Sequence, residues 1–304
     1  MPEKPAARHA YLIAAHEKPA QLKTLLGLLD DPKNDIYIHI DRKARGFSED
    51  ELRAAAPKSR MAFCPIRLDA RWGDPLFINA INFLLSHAVA EEHSYYHLLS
   101  GADLPLKPQS EIHAFFQAHA GEEFVDFDRE TVDQAMLLQR IGRWNPRRPV
   151  RPLGKALYHA VEPLWLGAQK LLGVNRLKGC GVTFQKGAVW FSITHACAVY
   201  ALREAWKYRG FYKDSVCADE LWLQTVLVNS PFMGKRAYMG FGDECAATMR
   251  YVDWSGGGRS PRVLTSADYP ALKESGMLFA RKFDEAVDGE IIRIIAHDVL
   301  TDGK

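Results

Sequence analysis

The sequence predicts an α/β protein organised around a mostly parallel sheet, and three observations predict it. Short apolar runs alternate with helical patterns along the first third of the chain, the rhythm of strands joined by helical crossovers. The chain has 304 residues, 47% of them hydrophobic, enough to bury a large core. Each apolar run also ends abruptly. In parallel sheets ligands gather at the carboxyl ends of strands, so the residues just past them, His16, Asp41, Trp72 and Asp103, are the first site candidates.

Ala10–Ala15 (AYLIAA) reads as the first strand and ends at His16-Glu17-Lys18. Pro19 can open a helix at its first position, where a missing N–H costs nothing. Leu22, Leu25, Leu26 and Leu29 then follow at i, i+3, i+4 and i+7, one apolar face, and Asp31-Pro32 stops it. Asp35–Ile40 (DIYIHI) is the second strand and Met61–Cys64 the third. Asp74 reads as an N-cap with Pro75 after it. Phe77, Ile81, Leu84, Leu85 and Ala88 supply that helix's core face. Ser94–Leu99 (SYYHLL) is a fourth strand, closed by Gly101-Ala102-Asp103. Further on, Val189–Ile193 reads as a strand, followed by a helix to about Tyr208. Cys217-Ala218-Asp219-Glu220 precedes a helical run to Asn229.

Between Arg140 and Lys178 the composition changes. Arg143, Arg147, Arg148, Arg151, Lys155, Lys170, Arg176 and Lys178 are interleaved with Trp144, Tyr158 and Trp165. Leu153, Leu157, Val161, Leu164, Ala168 and Leu172 keep helical spacing, and Pro163 is expected to kink or split that helix. An ordinary surface helix packed on the sheet, an acceptor-binding insertion and an amphipathic surface touching an anionic membrane all fit.

Bulk charge narrows the function. The formal net charge is +2, with 39 basic residues against 37 acidic, so no nucleic-acid partner is expected. No run of about 18 apolar residues is present, and no membrane span is expected. The polar stretch Met1 to His9 has no apolar h-region, so secretion is not expected. Five scattered cysteines, Cys64, Cys180, Cys197, Cys217 and Cys245, fit reduced thiols rather than a zinc site. His39, His93 and His97 have no ligand spacing and read as structural. No P-loop, GxGxxG or Ser-His-Asp arrangement is present.

Several stretches in order resemble the core-2/I-branching N-acetylglucosaminyltransferase and peptide xylosyltransferase family, glycosyltransferase family 14. They are Ala10–Pro19 (AYLIAAHEKP), Ile36–Lys43 (IYIHIDRK), Trp72-Gly73 with the helix that follows, Tyr96–Pro105 (YHLLSGADLP) and Trp190–Thr194 (WFSIT). Asp219-Glu220 with Gln224-Thr225, Arg250–Trp254 and Phe279–Asp284 (FARKFD) complete the set. The resemblance implies one GT-A type catalytic domain over 1–304. It would have a Rossmann-like nucleotide-sugar half at about 9–125 and an acceptor half at about 126–290, with 140–178 as a basic insertion. It also implies inverting transfer from a UDP-sugar, with GlcNAc the first donor guess and xylose the second. The acceptor would be a glycan or glycolipid, and no metal or other cofactor is expected. Lacking an anchor and paired cysteines, the chain looks like a bacterial cytoplasmic relative, with peripheral contact at the inner membrane through 143–178 as an option.

Glycosyl transfer needs a base for the acceptor hydroxyl and a stabiliser for the departing diphosphate. Glu220, opening a helix after Asp219, would lie near the positive end of the helix dipole, which favours a carboxylate. The resemblance makes Glu220 the base, while the pair could equally cap a helix; Asp219 is then the expected cap. A divalent cation on an Asp-x-Asp motif usually meets the second need, but Ser100-Gly101-Ala102-Asp103 offers one carboxylate. Cationic side chains can substitute, and the resemblance assigns that role to Arg250 and Lys282; Arg281 ranks below Lys282. Nucleotide contacts are expected at Ala15, His16 and Asp41, where His16 and Asp41 could instead hold their turns. Trp72 would stack on the donor or lie in the core, and Asp103 would touch the sugar or hold its turn. Trp190, Asp219 and Trp254 are pocket candidates. Two alternatives remain: a metal-dependent transferase using Asp126 and Asp128, and a non-catalytic nucleotide- or glycan-binding module.

Overall fold

A computed structural model of the chain describes residues 8–145, 150 and 154–301. Arg147, Arg148, Arg151 and Leu153, counted above with the basic middle, lie outside the described residues, as do Met1 to Ala7.

Strand β1 (His9–Ala15), β2 (Asn34–Ile40), β3 (Arg60–Phe63) and β4 (Tyr95–Ser100) form a parallel array in the order β3-β2-β1-β4. Each of these four expected strands is present, shifted by one residue at most; the fifth, expected from Val189, starts two residues later at Phe191. All of β1, β2 and β4 is buried, as befits strands covered on both faces. Alternation along β1 splits the core in two: Ala10 and Leu12 face one cluster, and Tyr11, Ile13 and Ala15 the other. Helix α1 (Pro19–Leu28) places Leu22, Leu25, Leu26 and Leu29 wholly inside the second cluster, each contributing about 1.5–3 kcal/mol of burial. Helix α3 (Leu76–Ala88) buries Ile81, Leu84, Leu85 and Ala88 against the first; α2 (Glu49–Ala55) lies between β2 and β3. Asp74 Oδ1 accepts the Leu76 N–H at 2.9 Å, but the N-cap of α3 is Pro75, one residue later than expected.

Beyond β4 the sheet turns antiparallel. β7 (Phe191–Thr194) pairs with β4, and β6 (Phe124–Val125) with β7. A second, small sheet is β5 (Asp103–Pro105), β9 (Phe279–Arg281) and β8 (Arg250–Val252), with β9 between the others. Helices α4 (Gln109–Ala118), α5 (Gln134–Arg140), α6 (Lys155–Leu171), α7 (His195–Tyr212) and α8 (Asp219–Val228) follow in order. After them come α9 (Glu244–Thr248), α10 (Tyr269–Glu274) and α11 (Gly289–Thr301). The mixed α/β class with a mostly parallel central sheet is the one expected, and β3-β2-β1-β4 is a Rossmann-like order.

Two further expectations are corrected. Pro163 neither splits nor ends α6, which runs through it as one helix. The proline is exposed, so water can satisfy the carbonyl one turn earlier that it leaves without a donor. Nor is Asp219 the N-cap of α8. Ala218 holds that position without a side-chain hydrogen bond, and Asp219 is the first helical residue.

Candidate active site

The strand order reverses between β1 and β4, the switch point at which open α/β sheets bind ligands. The carboxyl ends meet there. The Ala15 carbonyl accepts the Asp41 N–H at 2.8 Å. Asp41 is buried, and its carboxylate accepts the Lys43 and Ala70 N–H groups, each at 2.8 Å. His16 is exposed beside Glu17.

Residues 279–284 are clamped to this edge. Phe283 N–H donates to the Ala102 carbonyl at 2.8 Å, and Gln21 Nε2 donates to the Gly101 and Phe283 carbonyls at 3.2 and 3.1 Å. Lys18 pairs with Asp284. Buried Asp103 accepts from Ser100 N, Ser100 Oγ and Arg281 Nε at 2.9, 2.8 and 3.1 Å, so its carboxylate holds the turn and an arginine. The Arg281 guanidinium lies 4.0 Å from the centroid of the Trp190 ring, a cation–π contact. Between these anchors Lys282 is half-exposed, its Nζ 3.1 Å from Ser260 Oγ.

Arg250 lies one strand away, its Cα level with Phe279. It is buried, and its two Nη groups donate to the carbonyls of Thr248, Leu98 and Phe191 at 2.6, 3.3 and 2.7 Å and to Ser192 Oγ. Its Nε is buried without a partner. Burial pulls its pKa down to about 10, opposed by the Asp103 carboxylate. The resemblance assigned Arg250 to the diphosphate; its guanidinium is buried between the two sheets.

Glu220 is in the first turn of α8 with its side chain 35% exposed. Arg140, at the end of α5, donates to its Oε2 at 2.6 Å, and Lys186 Nζ lies 3.9 Å away. Gly187 N–H donates to the Glu220 carbonyl at 3.0 Å. At Gly187 a Cβ would stand 1.9 Å from the Asp126 carbonyl oxygen, so only glycine lets this segment approach. Neighbouring Asp219 has a buried Oδ1 with no partner, and burial, helped by the Glu220 charge, pushes its carboxyl up to about 7.

A series of neighbours leads from the segment before α8 to Lys282. Cys217, buried and left-handed (φ 50) two residues before α8, donates its N–H to the Gly73 carbonyl at 3.0 Å. Next to Gly73, exposed Trp72 has its ring centroid 6.0 Å from the Arg259 guanidinium. Arg259 adjoins Ser260, the acceptor of Lys282. Glu220 and Lys282, 62 positions apart in sequence, are thus linked through intervening neighbours rather than by a direct contact.

The sequence model of the Core-2/I-Branching enzyme family matches residues 9–272. The chain belongs to this family of glycosyltransferases. It is 23% identical over 311 aligned residues to xylosyltransferase 2 of Rattus norvegicus, covering 96% of this chain and 33% of that protein. It is 22% identical to xylosyltransferase 1 of Homo sapiens, covering 96% and 30%. The chain thus spans about a third of the length of these curated relatives. The crystal structure of mouse xyloside xylosyltransferase 1, apo form, aligns with a TM-score of 0.38 at 11% identity, over 89% of this chain and 96% of that one.

In this Core-2/I-branching chain the carboxylates Asp126 and Asp128 have different partners. Asp126 is buried with Oδ2 on the Ala188 N–H at 2.8 Å, while its Oδ1 is buried without a partner. Burial raises its pKa. Asp128 pairs with Lys186 at 3.3 Å. Among the described residues no group of three or more His, Cys, Asp and Glu is spaced to hold a metal ion. Trp254 is exposed and donates through Nε1 to Glu244 Oε2 at 2.9 Å; burial raises the Glu244 pKa. Trp190 is buried between Arg281 and the edge of Phe77. The histidines are structural: His39 accepts the Leu68 N–H, His93 meets Asp35, and His97 lies between His9 and Ser192.

Sequence reasoning missed Arg140 and Lys186, the cations beside Glu220, and Gln21, the clamp on Phe283. Arg140 was hidden in a stretch rich in basic residues. Lys186 and Gln21 have no local signal, because contacts 34 and 262 positions apart decide their roles.

Proposed function

We propose that this family member transfers a sugar from a UDP-sugar to a glycan hydroxyl with inversion, without a metal ion. Glu220 takes the proton as the acceptor oxygen attacks the anomeric carbon. The bond from that carbon to the diphosphate breaks in the same in-line displacement, and UDP departs with the electron pair. Lys282 meets the diphosphate. Arg250 contributes positive charge from its buried position, where low dielectric strengthens it. Arg140 and Lys186 hold the Glu220 carboxylate, Trp190 packs under Arg281, and Trp72 and Trp254 offer ring surfaces for sugar or base. Asp41 and Ala15 shape the nucleotide end, with His16 at its edge and Asp103 fixing the turn beneath.

The observation that supports this reading is the run of neighbours from Cys217, three residues before Glu220, through Gly73, Trp72 and Arg259 to Ser260 and Lys282. GlcNAc remains the first donor and xylose the second; the named relatives are xylosyltransferases, so UDP-xylose belongs in the same assay. UDP release from each donor, with and without EDTA, tests the proposal. Turnover that survives EDTA and falls at least ~100-fold in Glu220→Gln, with donor binding kept, supports it. Loss in EDTA restored by Mn²⁺ would instead favour Asp126 and Asp128. Donor binding without any turnover in the wild type would leave a binding module.

A further inference from the structure

We propose that α6 lies on an anionic lipid surface. Its leucines point outward: Leu164 is 76% exposed, Leu171 89% and Leu172 80%. Leu157, Leu164 and Leu171 are seven residues apart, close to two helical turns, and exposed Ala168 lies between them. They therefore form one line along a helix of 17 residues.

The neighbouring face explains why the leucines cannot turn inward. Trp165 Nε1 and Gln169 Nε2 each donate to the Trp144 carbonyl at 2.8 Å, and the Trp144 N–H returns to Gln169 Oε1 at 2.8 Å. Glu162 accepts from Asn145 Nδ2 at 3.1 Å and from the Tyr158 hydroxyl. These polar contacts fix the helix to residues 144–145 and leave the apolar line in water, a costly arrangement in a soluble protein.

Charge selects the occupant. From Arg140 to Lys178 the sequence has nine basic residues and one acidic, Glu162, which the contacts above engage. Lys170 and Lys178 are exposed near the end of the helix, and Trp144 and Trp165 keep part of their rings in solvent. Aliphatic line, flanking lysines and amphipathic indoles are the components of a helix that rests in a headgroup layer. No described helix is long and apolar enough to cross a bilayer, so α6 would lie on the surface. The proposal stands apart from the roles given to Glu220 and Lys282.

The 304-residue chain would be floated with phosphatidylcholine vesicles, with or without phosphatidylglycerol. Binding is expected only with phosphatidylglycerol, weakening as salt rises. Leu164→Glu with Leu171→Glu should lower partitioning by about tenfold or more. Leu171→Ser, at a site too exposed to support the fold, should also lower it while leaving the melting temperature unchanged. No binding at low salt, or undiminished binding in both variants, would overturn the proposal. So would a wild-type dimer that these substitutions dissociate, since the face would then belong to a second copy.

Discussion

The two cations expected at the diphosphate lie in different physical settings. Arg250 is enclosed, with its guanidinium serving three carbonyls and a hydroxyl, whereas Lys282 has one hydroxyl contact and faces solvent. Arg250→Met should therefore destabilise the protein by about 3–5 kcal/mol, because buried acceptors lose their donor. Lys282→Ala should leave the melting temperature in place and weaken UDP binding by about 1.5–3 kcal/mol; calorimetry on both variants checks the contrast. Asp219 gives a pH test. Its carboxyl, raised to about 7 when folded, titrates near 4 when unfolded, so between those values the folded state holds the extra proton. Its contribution to stability is present at low pH and is lost as pH rises from about 4 to about 7. Asp219→Asn should gain relative to wild type across that window and stay level above it, as read by denaturant midpoints at each pH.

Elements were legible where local pattern fixes them. β1, β2 and β4 are uninterrupted apolar runs, and α1 and α3 carry apolar faces at helical period, so both could be read before any contact was known. α6 was legible as an amphipathic helix but not as an unbroken one, because the cost of Pro163 depends on whether the orphaned carbonyl meets water. β8, β9 and the switch from parallel to antiparallel pairing were not legible: strands of three residues have too few positions to show a period, and their partners are distant. Gly187 shows how an element can depend on one missing atom. Gly187→Ala would press a methyl against the Asp126 carbonyl and push apart the segments that place Lys186 beside Glu220. A loss of about 1–3 kcal/mol or more is expected in thermal unfolding, together with a fall in turnover. An unchanged melting temperature would contradict the close approach.

At the scale of the whole molecule, the sequence pointed to the family through ordered motifs, not through any single residue. The family match, residues 9–272, covers all of those motifs except Phe279–Asp284. What the sequence could not show was depth: that Arg250 is buried and Lys282 half-exposed, that Asp103 is engaged by Arg281, and that Glu220 has two cations for neighbours. Depth depends on how the small sheet β5-β9-β8 folds back over the large one, a matter of packing rather than pattern. The most direct test of the central claim is a structure of the protein with UDP-sugar bound. The account predicts a diphosphate oxygen within about 3 Å of Lys282 Nζ, with the anomeric carbon facing Glu220. A nucleotide seated away from the β1–β4 edge, or a cation held between the diphosphate and Asp126, would contradict it.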